Sequence, residues 1–154
     1  MKHSIMKRSG WRGRIIRYAP LVFWTLVVLG FSTGVASSEE TSIIIRPILK
    51  FFFPLAPDAS IDLYHAYIRK CAHFGEYGIL SLLAFRAAAG SSLNALRQFH
   101  FIFPVIFVTA IASIDEYQQS FVPSRTSSPW DVLLDISGGL FAVFLCWLAV
   151  RKRS

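Results

Sequence analysis

Arg-Lys-Cys-Ala-His-Phe-Gly-Glu-Tyr, residues 69–77, stands directly before an apolar stretch that runs to residue 89. The continuity predicts that Lys70, His73 and Tyr77 lie on the first turns of a membrane helix. Their spacing of three and four places them on one helical face. Ionisable groups at membrane depth are costly and face a protein interior or a polar cavity. Such a face needs partners, and the chain offers them later: Asp115-Glu116-Tyr117-Gln118-Gln119, then Asp131 and Asp135. The expected fold is therefore all-α, a polytopic membrane bundle whose helices meet around these polar groups.

Composition agrees. Of 154 residues, 54% are hydrophobic and 16% charged, which is more apolar surface than a soluble chain of this size could bury. The net charge of +7 does not indicate nucleic acid. The basic residues cluster at the two termini beside apolar runs, and no phosphate loop, zinc finger or base-reading helix occurs. Cys71 and Cys146 occupy separate apolar segments near opposite ends, so neither a disulfide nor a metal pair is expected.

Four spans are predicted, at about 18–35, 67–89, 99–120 and 131–150. Residues 1–17 form a basic N-terminal segment and residues 151–154 a basic tail. The first span resembles a signal peptide in one respect, since Gly34-Val35-Ala36 has the small-x-small form of a cleavage site. Its long basic and apolar parts favour a retained helix. The connection 37–66 is apolar but interrupted by Pro47, Pro54 and Pro57, and reads as an interfacial or re-entrant segment. A helix start is expected near Ser60. Pro104 is expected to kink the third span. Ser128-Pro129-Trp130-Asp131 reads as a helix start, with Ser at the cap and Pro at the first position.

The positive-inside rule puts both termini in the cytoplasm, with eleven of the 16 Lys and Arg on that side. The acidic residues then fall on the outer side or in outer helix ends. Polar residues of the second, third and fourth spans come out at one external level. That pattern predicts a one-sided polar site rather than a path across the membrane.

His73 can serve as a general acid or base, with Asp115 or Glu116 orienting it, or it can pair with one of them to hold helices together. Lys70 opposes the helix dipole and calls for an acid or an anionic headgroup. Glu76 lies a turn deeper. Asp115 and Glu116 stand about 100° apart and both can approach Gln119. With a histidine they could hold a divalent cation, or they could form a charge network with Lys70 and Arg125. The absence of His-Glu-x-x-His leaves any metal unassigned, and no cofactor is named. The planar fork of Arg125 suits a phosphate or carboxylate. Asp131 suits a helix cap, whereas Asp135 lies too deep for one.

Lys70-x-x-His73-Phe74-x-x-Tyr77-x-x-Leu80, Asp115-Glu116-x-x-Gln119-x-Phe121-x-Pro123-x-Arg125, and Asp131 with Gly138 and Gly139 resemble the VanZ-like family, in the family's order. The likeness covers about residues 60–145. Two departures stand out: Ser124 where members often have Gly, and Asp135 where they often have Asn. The resemblance implies a small polytopic bacterial membrane protein of the cell (inner) membrane. The founding member is associated with resistance to teicoplanin, a glycopeptide with a lipid tail. Expected partners are a membrane lipid, a lipid-linked envelope molecule or a lipoglycopeptide. Three roles follow: altering how such molecules engage the envelope, an enzyme acting on a lipid headgroup, or a non-catalytic assembly subunit.

Overall fold

Pro57 sets where the longest helix begins. Extended backbone there (φ −56°, ψ 149°) leads out of a turn at residues 54–56 and into α3, Asp58–Ala89. The computed structural model describes residues 10–32, 38–121 and 128–152. Among these, every regular element is helical: α1 (Trp11–Ser32), α2 (Ser38–Phe52), α3, α4 (Asn94–Gln98), α5 (Ile102–Gln119) and α6 (Pro129–Arg151).

α3 touches each of the other helices. With 32 residues it is ~48 Å long at ~1.5 Å per residue, more than the ~30 Å of a bilayer's hydrocarbon core. Its C-terminal part carries the main core. Tyr77, Leu80, Ala84 and Ala87 are buried against Leu21 and Val28 of α1 and Val108, Ile111 and Ala112 of α5. Its first turns pair with α2 instead. Arg46 lies 3.1 Å from Asp62, Lys50 lies 2.7 Å from Asp58, and Thr41 Oγ1 meets the Nε2 of buried His65 at 3.0 Å. The hydrogen bond from Lys50 and its charge hold the Asp58 carboxyl below its ordinary range.

Pairings along the helices give their directions. Trp24 Nε1 donates to the Glu76 carbonyl and Arg86 Nη2 to the Ile16 carbonyl, so α1 runs antiparallel to α3. Tyr77 reaches Asp115 while Phe85 stacks near Phe101, so α5 is antiparallel to α3. Gly139 meets Val108 while Ser128 meets Glu116, so α6 is antiparallel to α5. The Arg86 bond has a local cause. Pro20 lies inside α1 and has no N–H, which leaves the Ile16 carbonyl for another donor.

Among the described residues, two helices are long and apolar enough to cross a membrane: Trp11–Phe31, mean hydropathy 1.5, and Pro129–Arg151, mean hydropathy 2.1. α3 and α5 lie where the second and third spans were expected. Neither reaches that apolarity, because each carries several polar side chains: Lys70, His73 and Glu76 on α3; Asp115, Glu116, Gln118 and Gln119 on α5. Only 11% of the first apolar stretch and 22% of the second is buried, so both turn apolar side chains outward.

Several boundaries differ from the sequence reading. The connection 37–66 is more regular than expected, because α2 continues through Pro47. The missing N–H costs a bond to the Ile43 carbonyl, on a residue 69% exposed, where a polar partner from outside can replace it. α3 starts at Asp58 rather than Ser60. The helix at the third predicted span, α5, starts at Ile102, after the separate α4, and Pro104 falls in its first turn, where no intrahelical N–H is required. Ser128 does cap α6: its Oγ accepts from Trp130 N at 3.3 Å, with Pro129 first in the helix. The cleavage-like triplet 34–36 lies outside the described residues.

α6 fits between α3 and α5 because two glycines face them. A Cβ on Gly138 would sit 2.2 Å from the Phe74 carbonyl oxygen, and one on Gly139 would sit 2.9 Å from Val108 Cγ1. Ser81 Oγ donates to the Gly139 carbonyl at 2.9 Å across the same contact. Gly138→Ala must push backbone from backbone, and should lower stability by about 1–3 kcal/mol or more. Gly78→Ala meets only an ordinary contact at 3.6 Å and should cost nothing. Denaturation in detergent micelles compares the two. Equal stability of both variants would refute this crossing.

Candidate functional site

The crossing of α3, α5 and α6 collects polar side chains at one end of the bundle. α3 supplies Lys70, His73 and Tyr77 on one face, as their spacing requires. α5 supplies Asp115 and Gln119, one turn apart and both buried. α6 supplies Asp131 and, one turn further in, Asp135.

Asp115 is the best-tethered member. Its Oδ2 accepts from Tyr77 Oη and from Gln119 Nε2, each at 2.9 Å. Tyr77 is fully buried and Asp115 is 2% exposed, so both donors act where water cannot substitute. Asp135 is equally buried. Its Oδ1 lies 3.5 Å from His73 Nδ1, and neither atom makes a hydrogen bond. One ligating atom from each of His73, Asp115 and Asp135 falls within 4.8 Å of the others, so one cation could touch all three.

At the rim, Lys70 Nζ lies 3.9 Å from Asp131 Oδ1. Both side chains are substantially exposed, so the pair contributes little. Glu116 turns away from the cluster. Its Oε1 accepts from the backbone N–H of Ser128, which ties the end of α5 to the start of α6.

A cleft of about 130 Å³ opens beside the cluster. Its apolar wall includes Val28 and Phe31 of α1, Ile45 of α2 and Ile68 of α3. Its polar wall is Thr41, Arg69, His73, Glu76, Asp115 and Gln119. α2 thus closes one side of the cleft through Thr41 and Ile45.

Of the residues singled out in the sequence, His73, Tyr77, Asp115, Gln119 and Asp135 come together. Glu76 lines the adjoining cleft, Lys70 and Asp131 meet at the rim, and Glu116 stands apart. Arg125 lies outside the described residues. His73 pairs with Asp135, which the sequence reading did not single out as its partner. Arg69 and Thr41 of the cleft, and Ser81 beneath it, were not anticipated. Arg69 was hidden as one of two adjacent cations, and a lone Ser or Thr in an apolar run carries no signal of its partner.

The family model described as VanZ/LLP1 matches residues 15–150. No curated protein and no solved structure matches the chain.

Tyr77→Phe removes one donor from buried Asp115 and should destabilise the protein by about 1–3 kcal/mol. Lys70→Ala at the exposed rim should cost less than about 1 kcal/mol. Unfolding in detergent reads both, and the reverse order would contradict the assignment of Asp115 as the tethered carboxylate.

Proposed function

Because the chain belongs to the VanZ/LLP1 family, we propose that it is a multi-pass cell-membrane protein whose polar cluster takes the headgroup of a lipid-linked envelope molecule. In this reading α1, α3, α5 and α6 span the membrane and both termini are cytoplasmic. The His73–Asp115–Asp135 cluster then lies at the outer surface. Binding there alters how lipid-linked molecules, or glycopeptides with a lipid tail, engage the envelope.

The cleft carries this reading. One wall is apolar and the other presents Arg69, His73, Glu76, Asp115 and Gln119. An amphiphile held at headgroup depth needs both surfaces at once. The outward-facing apolar side chains of α1 and α6 support a lipid environment, since a water-soluble fold would bury such helices. The alternating helix directions suit four crossings. Arg14, Arg17, Arg86, Arg97 and Arg151 fall toward the end opposite the cluster, in keeping with cytoplasmic termini. Polar groups gathered at one end, with apolar core beyond them, do not suit a transport path.

Teicoplanin susceptibility, with vancomycin as control, tests the role in a sensitive host expressing wild type or His73→Ala at matched abundance. Selective protection by the wild type, lost in the variant, is expected. No protection by well-expressed, inserted wild type would confine the family likeness to fold. A cysteine at Ser127 in a Cys71→Ser, Cys146→Ser background tests the orientation. It should react with an impermeant thiol reagent from outside intact cells, and labelling only after lysis would overturn the topology.

A further inference from the structure

We propose that His73, Asp115 and Asp135 form a binding site for a divalent first-row cation, Zn²⁺ or Mn²⁺. One ligand comes from each of α3, α5 and α6. The site deepens the headgroup reading of this pocket, and rests on that reading only for what the ion would face.

Three observations carry it. The first is spacing. Ligand atoms at ~2.1 Å from a tetrahedral ion stand ~3.4 Å from one another. His73 Nδ1 and Asp135 Oδ1 are 3.5 Å apart, and the whole set lies within 4.8 Å, so small side-chain rotations close it on one ion. The second is the state of Asp135. Its side chain is 3% exposed, its Oδ1 makes no hydrogen bond, and that oxygen lies 3.5 Å from His73 Nδ1. A buried carboxylate oxygen without a donor carries a desolvation cost that a cation would offset. The third is charge. As metal ligands, two ionised carboxylates and a neutral imidazole sum to −2, which a divalent ion neutralises.

The ligand chemistry narrows the ion. One imidazole nitrogen with two carboxylates suits borderline first-row cations better than Ca²⁺ or Mg²⁺, which take oxygen ligands alone. Tyr77 and Gln119 both donate to Asp115 Oδ2, which fixes that carboxylate in place. His73 and Asp115 also line the cleft, so the remaining coordination positions of a bound ion would face it. An anionic headgroup entering the cleft would meet the ion there, beside Arg69.

The test uses the full chain, purified in detergent, stripped with chelator and dialysed. Cys71 is exposed and is replaced by Ser to keep its thiol from competing for Zn²⁺. Zn²⁺ and Mn²⁺ are titrated separately by calorimetry, with thermal unfolding as second readout. One ion per chain is expected for at least one metal, with a thermal midpoint that rises with its concentration. Asp135→Asn and His73→Ala should weaken binding by about 100-fold or more. Tyr77→Phe, which touches Asp115 without being a ligand, should weaken it by about 10-fold. Arg97→Ala, on exposed α4 and away from the cluster, should leave it unchanged. Absence of saturable binding of either metal, or wild-type affinity in folded Asp135→Asn, His73→Ala and Tyr77→Phe together, would overturn the site. Protection against teicoplanin without ion binding would remove the cation site alone, and ion binding without protection would remove the headgroup reading alone.

Discussion

The backbone of α6 touches the backbone of α3 at Gly138, and the rest of the polar site depends on that contact. Any side chain there would occupy the space of the Phe74 carbonyl. On the other flank Gly139 accepts Val108 of α5, and its carbonyl takes the Ser81 hydroxyl. Two adjacent small residues thus let one helix approach two neighbours at once, as close packing between apolar helices requires. His73 precedes Phe74 by one residue, and Asp135 lies about one turn before Gly138. The close crossing is what brings this pair to 3.5 Å.

The same contact explains how so much polarity is tolerated inside the bundle. Asp115 and Asp135 are each 2% exposed. Asp115 is held by a phenol and an amide, both themselves buried. Asp135 relies on His73 across the crossing. Polar groups outside this knot have simple structural work. Glu116 receives the chain entering α6, Asp131 meets Lys70 at the rim, and α2 is fastened to the first turns of α3 by Arg46 and Lys50. The C-terminal part of α3, from Leu80 to Ala88, buries apolar and small residues, so among the described residues the polar cluster does not continue along that face.

Much of this arrangement is legible in the sequence. The three-and-four spacing of Lys70, His73 and Tyr77 defines a face, the later acidic residues supply its partners, and Ser128-Pro129 marks the start of α6. Pairing within the cluster is not legible. Helical period gives the direction of a side chain, but the depth and rotation of a neighbouring helix decide which acid it meets. Asp115 and Glu116 look equivalent in sequence, yet the step of ~100° between them sends one into the core and the other to Ser128. Prolines mislead for a related reason. Pro47 was read as a break, but a helix tolerates proline where the abandoned carbonyl finds another partner. The carbonyl of Ile16, taken by Arg86, shows the same accommodation in α1.

The most direct test of the crossing is a double-mutant cycle between His73 and Asp135, read as stability in detergent without added metal. If α3 and α6 meet at Gly138, then His73→Ala, Asp135→Asn and the double variant should show a coupling of about 1–3 kcal/mol. Effects that add within about 0.5 kcal/mol would mean that the two side chains do not face one another, and the arrangement of the site built on that contact would be wrong.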